Sequence, residues 1–593
     1  MLVRDADGTL QPAARWQFPA DKAPPPPPGN DWLVEPIGTL SDAQAETLGR
    51  LIRRLQLPGL SLRDAAGIDD ARFARLGALD GLVTLDVGRT AIGDASLRQL
   101  KDAHHLKALY LDETAIDDGA FKLASSWPEL QLLALDRTAI GDAGLAPLAT
   151  LTQLLRLQLA GTRVTDAGLA SLAQLTHLTT LALSDDSVSD AGMASLAQLT
   201  SLRTLLIGRT HVGDAGLARL RNLTALETLH APETLVGDAG LAALDGMTHL
   251  RVLGLWNTKV DDDGVAKLRA HPTLEELDLG ATYMTDAALA NLSGLTSLRV
   301  LRLGQNPLTD GGLSSLAGLV ALRSLDLDHT AITDEGLRKL APLTKLRSLR
   351  LGWTFVSDRS AAQLATFTAL ETLSLRHTLM RDGGVAKLMT LTALEELDLG
   401  ETNIGDAALA TLATLPKLTT VRLGRTFVDD AGVAQLASLA RTLTTLDLSN
   451  TRVDGAVPAL LAPFQQLTTL DLSELPIEDA QLGPLATLPA LQELMLAGTH
   501  IGDGGLEQLR ACKSLRVLSL ARTQVTGEGL APLDALPLSE LTLQHTAVGD
   551  GALVHLMAMR RLRFVDLRET HVSNATLATL KHDKRVDLLP TTL

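Results

Sequence analysis

Residues 154–177, LLRLQLAGTRVTDAGLASLAQLTH, contain the pattern that decides the fold. Around Leu157 and Leu159, leucine alternates with other residues, which is typical of a short β-strand with one buried face. After Asp166 and Gly168 the leucines are three residues apart, which predicts a helix of two to three turns. The segment therefore predicts one strand followed by one short helix.

This unit recurs along most of the chain. When Leu154 is numbered position 1, Thr162 occupies position 9, the anchor, and anchors follow one another at 24-residue intervals with a few small slips. Thr fills 18 of the 21 anchors, and the others are Asp186, Asn306 and Leu475. One such unit cannot bury its own leucines, so neighbouring units must stack. We predict an α/β solenoid, curved as a horseshoe or superhelix, with a parallel sheet on its concave face and short helices on its convex face.

The repeat L-x-x-L-x-L-x-x-T-x-[VI]-x-D-x-G-L-x-x-L-x-x-L resembles the leucine-rich-repeat family over about residues 80–580. An Asn commonly fills the anchor in that family, and Asn306 keeps it here. The variant is similar to 24-residue repeats of bacterial proteins and to the cysteine-containing repeats of F-box ubiquitin-ligase receptors. The resemblance implies the fold more strongly than a function, because family members bind widely different ligands.

Both ends of the chain depart from the repeat. We predict a flexible segment at residues 1–32, an N-terminal cap with a degenerate repeat at 33–80, the array of about 21 repeats at 81–580 and a C-terminal cap at 581–593. The run Pro24–Pro28 in the first segment favours a stiff, extended spacer, and a ligand for a proline-recognition domain is the alternative.

Composition narrows the class of partner. The net charge of −16 argues against nucleic acid or an anionic membrane, and charged residues interrupt every apolar run before it reaches the length of a membrane helix. We therefore expect a protein or peptide partner, no nucleic acid and no membrane insertion, with the oligomeric state open. No signal peptide is seen, which makes the cytoplasm the default, while an exported or periplasmic location stays open.

The acidic excess has a structural interpretation. An Asp follows the anchor by four residues in 18 of the 21 repeats. Its place just before the helix predicts an N-cap that accepts backbone N–H bonds at the positive end of the helix dipole. We therefore interpret the acidity as a result of helix capping rather than as a calcium or effector site.

The sequence contains no recognisable catalytic motif such as a Walker loop, a G-x-S-x-G elbow or H-E-x-x-H. The single cysteine, Cys512, occupies the repeat position of Leu175, so a buried core residue is predicted rather than a nucleophile. His500, His545 and His571 occupy unequal repeat positions, which disfavours a metal site. The prediction is a non-enzymatic protein with no catalytic residue, no metal and no cofactor.

Positions 3, 5, 7, 8 and often 10 are expected to face the concave surface, because the leucines between them point into the core. Exposed aromatic residues are typical interface anchors. The candidate aromatic contact residues for a partner are Trp256, Tyr283, Trp353, Phe355 and Phe427, of which Tyr283, Phe355 and Phe427 share position 10 along one rim. The candidate polar selectors, which would distinguish one partner from another, are Arg350, Arg422 and Arg425.

Charges alternate along position 5, which predicts a self-paired ion ladder: Asp278, Arg302, Asp326, Arg350, Ser374, Asp398, Arg422 and Asp447. The favoured function is a non-enzymatic scaffold that binds a protein or peptide on its concave face. Two alternatives stay open: a substrate-recognition or GTPase-regulating subunit of a catalytic assembly, as the resemblance implies, and a structural envelope or surface spacer.

Overall fold

The computed structural model describes residues 32–35, 40–65, 67–582 and 586–588, together with the backbone of residues 2–4 and 10–12. The chain divides into two compact units, Met1–Met284 and Thr285–Leu593. In both units the repeat consists of a three-residue strand followed by a short helical segment. The predicted α/β fold of parallel strands and short helices is confirmed.

In the first unit each strand of the repeat array pairs in parallel with the strand of the next repeat, so that equivalent residues face each other. Leu205, for example, lies opposite Leu229. The strands are Gly59–Ser61, Thr84–Asp86, Ala108–Tyr110, Leu132–Ala134, Arg156–Gln158, Thr180–Ala182, Thr204–Leu206, Thr228–His230, Val252–Gly254 and Glu276–Asp278.

The strands of the second unit pair in the same parallel register. The tail, predicted to be a cap, adds a last strand beside Phe564–Asp566. The strands are Val300–Arg302, Ser324–Asp326, Ser348–Arg350, Thr372–Ser374, Glu396–Asp398, Thr420–Arg422, Thr445–Asp447, Thr469–Asp471, Glu493–Met495, Val517–Ser519, Glu540–Thr542, Phe564–Asp566 and Asp587–Leu588.

The predicted helix of two to three turns is present, but it is divided between α and 3₁₀ geometry, as in Asp166–Leu169 followed directly by Ala170–Gln174. Leu151, Leu175 and Leu391 at position 22 leave the helical region, with ψ of 59°, 55° and 57°, because the chain must turn there toward the next strand. In the first unit the α-helices are Asp42–Leu55, Asp70–Ala74, Asp94–Leu97, Asp142–Leu145, Asp166–Leu169, Asp190–Leu196, Asp214–Arg219, Asp238–Leu241 and Asp262–Lys267, and the 3₁₀-helices are Arg98–Leu100, Ala120–Ser126, Ala146–Thr150, Ala170–Gln174, Ala242–Leu244 and Leu268–Ala270.

The second unit has the same mixture of helix types. Its α-helices are Asp286–Leu292, Asp334–Lys339, Ala361–Leu364, Asp382–Val385, Asp406–Leu412, Asp430–Gln435, Val457–Leu460, Asp503–Leu509, Ala552–Ala558 and Asn574–His582. Its 3₁₀-helices are Gly312–Leu316, Ala386–Thr390, Leu436–Leu439, Asp479–Gln481, Gly483–Thr487 and Glu528–Leu533.

The leucines of the repeat form the core of each unit, where nearly all are at most 1% exposed. Trp127, Phe367 and Phe464, which replace the leucine of position 22, are equally buried. Cys512 occupies the same position and is buried as predicted, and burial raises the pKa of its thiol to about 11. A thiol in this environment stays protonated at neutral pH, which suits a packing residue rather than a nucleophile.

The anchor residues hold the turn that follows each strand. The hydroxyl of Thr210 donates to the carbonyl of Ile207 at 2.7 Å, and Thr354 donates to Leu351 at 2.6 Å. The side-chain amide of Asn306 donates to Leu303 in the same way, at 3.0 Å. Thr and Asn therefore serve as equivalent donors at the anchor.

The sequence analysis predicted that the repeated Asp is the N-cap of its own helix, and this prediction is wrong. The Asp is the first residue of the helix, as in Asp142–Leu145, and the N-cap is the residue before it. The carboxylate of Asp142 instead accepts bonds from the backbone N–H and the hydroxyl of Thr165, at 2.8 and 2.7 Å, where the next helix begins. Parallel stacking in register brings these groups together, so the Asp residues join neighbouring repeats.

The N-terminal helix Asp42–Leu55 begins after Ser41 in a capping box with Gln44, and it buries Leu48 and Leu51. Within residues 1–32, where the sequence analysis predicted no strand, Leu2–Arg4 and Leu10–Pro12 pair antiparallel, and Leu2–Arg4 also pairs with Trp32–Leu33. The proline run Pro24–Pro28 lies outside the described residues.

Candidate functional site

The residue at position 8 adopts a left-handed backbone conformation in repeat after repeat. In the second unit its φ lies between 51° and 61° for all residues other than glycine. The backbone N–H of Trp353 donates to the carbonyl of Arg376 at 2.8 Å, and His377 donates to Gly400 at 2.8 Å, so each turn is bonded to the next repeat. This support offsets the steric cost of the left-handed conformation, which is about 1 kcal/mol or more for a residue with a Cβ.

We call the position-8 residues of a unit its turn row. In the second unit Trp353 stacks between two histidines of this row. The rings of His329 and Trp353 have centroids 5.1 Å apart and planes inclined by 12°, and those of Trp353 and His377 are 3.6 Å apart and inclined by 15°. His377 Nδ1 lies 3.0 Å from the Glu401 carboxylate. The indole is therefore held on both faces, yet 41% of the residue stays exposed.

Position 10, which we call the rim row, lies two residues further along each repeat. In the second unit it carries Phe355, Leu379 and Phe427, which are 57%, 53% and 46% exposed. The guanidinium of Arg452, also at position 10, lies 4.5 Å from the centroid of the Phe427 ring. Together the two rows place four large apolar side chains within four consecutive repeats.

An open cleft adjoins the end of this group. It has a volume of about 390 Å³ and is lined by Arg425, Thr426, Phe427, Asn450, Thr451 and Arg452. The cleft combines the phenyl ring of Phe427 with two guanidinium groups and one side-chain amide. Such a mixture suits a ligand that is partly apolar and partly anionic.

Two of the three predicted polar selectors are engaged in close ion pairs. Arg350 Nε lies 2.9 Å from Asp328 and 3.6 Å from Asp326, and Arg422 pairs with Glu396. Arg425 is more available, because its Nη1 is 3.7 Å from Glu401. The carboxylate of Glu401 is also bound by Arg376 at 2.6 Å and by His377.

Two arginines of the expected ion ladder along position 5, Arg350 and Arg422, form close ion pairs with residues at other repeat positions. Arg350 contacts Asp326 within the column, but its shorter contact is with Asp328 at position 7, and Arg422 turns to Glu396 at position 3. Long arginine side chains reach residues in other columns, which simple alternation of sign does not reveal. Burial raises the pKa of Asp398, although Arg376 and Arg422 oppose this effect.

The structure brings Trp353, Phe355, Phe427 and Arg425 together in the second unit. Trp256 and Tyr283 belong to the first unit, where Tyr283 is 70% exposed. The indole of Trp256 packs over Gly280, where an added Cβ would lie 2.7 Å from the indole Cδ1. The predicted aromatic residues therefore form a group in one unit and separate contacts in the other.

The sequence analysis did not select His329, His377, Leu379 or Arg452 as site residues. Aligning positions 8 and 10 at the 24-residue spacing places His329 and His377 directly on either side of Trp353, and Leu379 directly after Phe355. The signal was therefore present in the columns of the repeat. The sequence analysis missed these residues because it considered only aromatic side chains and three arginines.

Within the part of the chain that the structure describes, no group of three or more His, Cys, Asp or Glu side chains is arranged to hold a metal ion. A separate search of these residues found no helix both long enough and apolar enough to cross a bilayer.

Comparison with protein families identifies the repeat. A family model described as a leucine-rich repeat region matches residues 72–306, and a second leucine-rich-repeat model matches residues 321–341, 390–413 and 511–533. The chain belongs to the leucine-rich-repeat family. The predicted resemblance to the leucine-rich-repeat family is thus confirmed. A search of curated proteins found no match to this chain.

Solved structures with a similar fold have low sequence identity to this leucine-rich-repeat protein. A plant peptide hormone receptor, RGFR1 in complex with RGF2, is 15% identical, with 100% of this chain and 99% of that chain covered and a TM-score of 0.39. The Arabidopsis receptor kinase HAESA, in complex with the peptide hormone IDA and the co-receptor SERK1, is 18% identical, with coverages of 87% and 88% and a TM-score of 0.42. An internalin from Listeria monocytogenes is 22% identical, with coverages of 65% and 86% and a TM-score of 0.32.

Proposed function

We propose that this protein is a non-enzymatic scaffold that binds a protein or peptide along the aromatic rim of its second unit. The aromatic rim consists of His329, Trp353, Phe355, His377, Leu379 and Phe427. The observation that carries the proposal is the exposure of Trp353, Phe355, Leu379 and Phe427 within four consecutive repeats. Clustered aromatic and aliphatic side chains at a surface are typical anchors of protein interfaces.

These side chains are exposed, whereas apolar side chains at the core positions of the repeat are buried. Leu351 and Val356, in the same repeat as Trp353 and Phe355, are 0% exposed. The fold therefore buries apolar side chains efficiently wherever the repeat pattern places them inside. Positions 8 and 10 lie outside that pattern, so an aromatic residue there gains little for the core.

The size of the aromatic rim indicates the kind of segment that fits it. Neighbouring strands are about 4.8 Å apart, so four repeats span on the order of 15 Å. An extended peptide rises about 3.3 Å per residue, and about four to five residues would cover this length. The rim therefore suits a short linear segment or one loop of a folded partner.

The stacked geometry also favours binding. Trp353 lies between His329 and His377, so its ring is already ordered before a partner arrives. An ordered side chain loses less conformational entropy on binding than a free one. Among the predicted selectors, Arg425 can contact a partner directly, whereas Arg350 and Arg422 must first exchange their ion-pair partners. Trp256 and Tyr283 would supply a separate contact on the first unit.

The test uses random peptide display on the full chain, followed by calorimetric titration of the selected peptides. We expect Trp353→Ala combined with Phe355→Ala to weaken binding by about 30-fold, because two interface anchors are lost. The matched control is Val320→Ala combined with Met389→Ala. These residues are 50% and 59% exposed; Met389 lies in the 3₁₀-helix Ala386–Thr390, and Val320 lies in the turn that precedes the strand Ser324–Asp326. Equal affinities for both double variants would contradict the proposed site.

A further inference from the structure

The cleft at the end of the aromatic rim contains two guanidinium groups with unused hydrogen-bond donors. Within the described residues Arg452 forms neither an ion pair nor a side-chain hydrogen bond, and its guanidinium lies 4.5 Å from the centroid of the Phe427 ring. Arg425 is 62% exposed at its side chain and lies 3.7 Å from Glu401, which Arg376 and His377 contact more closely. An arginine has five N–H donors, so both guanidinium groups can donate hydrogen bonds to a further anionic partner.

The acidic residues closest in sequence to this cleft have other roles. Asp429 accepts a bond from the backbone N–H of Ala431 at 2.8 Å, and Asp454 accepts one from Ala456 at 2.8 Å. Both carboxylates therefore bond the backbone where a helical segment begins. Asp454 also lies close to Asp430, whose pKa is raised to about 6, mainly by burial and then by Asp454. These carboxylates therefore interact with one another and with backbone N–H groups where helices begin.

We infer that the cleft binds a carboxylate of the peptide held on the aromatic rim, next to an apolar side chain that contacts Phe427. Arg425 and Arg452 supply charge-assisted donors, Asn450 supplies amide donors, and Phe427 supplies the apolar wall. The ligand class is therefore an acidic peptide with apolar neighbours. This inference rests on the proposed function, and it adds the chemistry that selects among peptides.

A carboxylate can come from an acidic side chain or from a free carboxyl terminus, and the two sources are separable. Display libraries with free and with blocked carboxyl ends would first select peptides on the full chain. Each selected peptide would then be synthesised in three forms: unchanged, with each acidic residue replaced by its amide, and with the terminus amidated. The form that loses affinity identifies the source of the carboxylate.

The protein side of the test uses Arg452→Gln and Arg425→Gln, with Arg522→Gln as the control. Arg522 occupies position 8 in the same unit and already pairs with Glu474. We expect each cleft variant to weaken the unchanged peptide by about 10-fold and the peptide without its carboxylate by less than 2-fold, because only the former has lost a charge-assisted pair. Arg522→Gln should leave both affinities unchanged.

The outcomes separate this inference from the proposed function. Selected peptides that bind the aromatic rim but keep their affinity without carboxylates, or in both cleft variants, would overturn the inference alone. Failure to select any peptide would contradict the proposed function and the inference together. Circular dichroism of each variant would show that the fold is intact before affinities are compared.

Discussion

The two units share one repeat, and residues that depart from it have different consequences when they are buried, as in the first unit, and when they are exposed, as in the second. In Met1–Met284 two departures are buried and titratable: Asp186 replaces the anchor Thr and His271 replaces the core leucine of position 22, with exposures of 3% and 1%. In Thr285–Leu593 the departures Trp353 and Phe355 are 41% and 57% exposed. A buried residue that departs from the repeat changes the free energy of unfolding. An exposed one changes this free energy little and can contact a partner.

The turn rows show the same contrast. In the first unit Arg209 pairs with Glu233 at 2.8 Å and with Asp185 at 3.2 Å, each one repeat away. In the second unit the row carries the stack of His329, Trp353 and His377. One backbone conformation thus supports a self-paired row of charges in one place and an aromatic surface in another. The backbone conformation at position 8 therefore does not determine whether charged or aromatic residues occupy the turn row.

The largest effect is expected at Asp186. Its Oδ1 accepts bonds from the Thr162 backbone and hydroxyl at 2.8 and 2.9 Å, while its buried Oδ2 has no partner among the described residues. Burial raises the pKa of Asp186 to about 7. Because the folded pKa exceeds the unfolded value of about 3.9, the folded protein loses stability as pH rises from about 4 through 7.

We expect Asp186→Thr to restore the anchor hydroxyl and to raise the free energy of unfolding at pH 8 by about 2–4 kcal/mol. The gain should shrink at pH 5, where the native carboxyl is protonated. Urea unfolding at both pH values measures the difference. Asp186→Asn serves as a control that removes the charge without supplying the hydroxyl. A wild-type pH dependence that matches that of Asp186→Thr would contradict the assignment.

A smaller effect of opposite pH dependence is expected at His271. Its ring nitrogens are both buried without a hydrogen-bond partner in the described part of the chain. Burial lowers the pKa of His271, although Asp245 opposes this effect. The unfolded chain therefore takes up a proton near pH 6.5 that the folded chain resists, and stability falls as pH drops below that value.

His271→Leu should raise the free energy of unfolding by about 1–2 kcal/mol at pH 7, since leucine is the usual residue at this core position. The gain should grow at pH 5.5, where the unfolded wild-type chain binds the proton. Thermal or urea unfolding at the two pH values checks both parts. If the gain were instead larger at pH 7 than at pH 5.5, the ring would have to be charged in the fold.

The sequence predicts the interior of this protein far better than its surface. The spacing of leucines determines which side chains are buried, because one period sets both the strand face and the helix face. Cys512 was placed correctly in the core on this basis alone. The bonding partner of Asp142 was not predictable from its own segment, since Thr165 reaches it only through the register between repeats. The aromatic candidates were likewise identified, but the stacking of His377 on Trp353 depends on a left-handed turn that no local motif indicates.

The smallest stability effects are expected at the exposed departures, where the two turn rows can be compared directly. Arg209→Gln should lower stability slightly at low salt and not at 1 M salt, because ion pairs between exposed side chains are weak and screened. Trp353→Ala should cost about 1 kcal/mol or less at either salt concentration, since stacking is not screened. Urea unfolding at the two salt concentrations distinguishes the ionic contribution of Arg209 from the stacking contribution of Trp353.

If only Trp353→Ala also reduces peptide binding, the aromatic rim has a function that the charged turn row of the first unit lacks. If Arg209→Gln reduces binding equally, the first unit takes part in recognition and the contrast between the two rows is wrong.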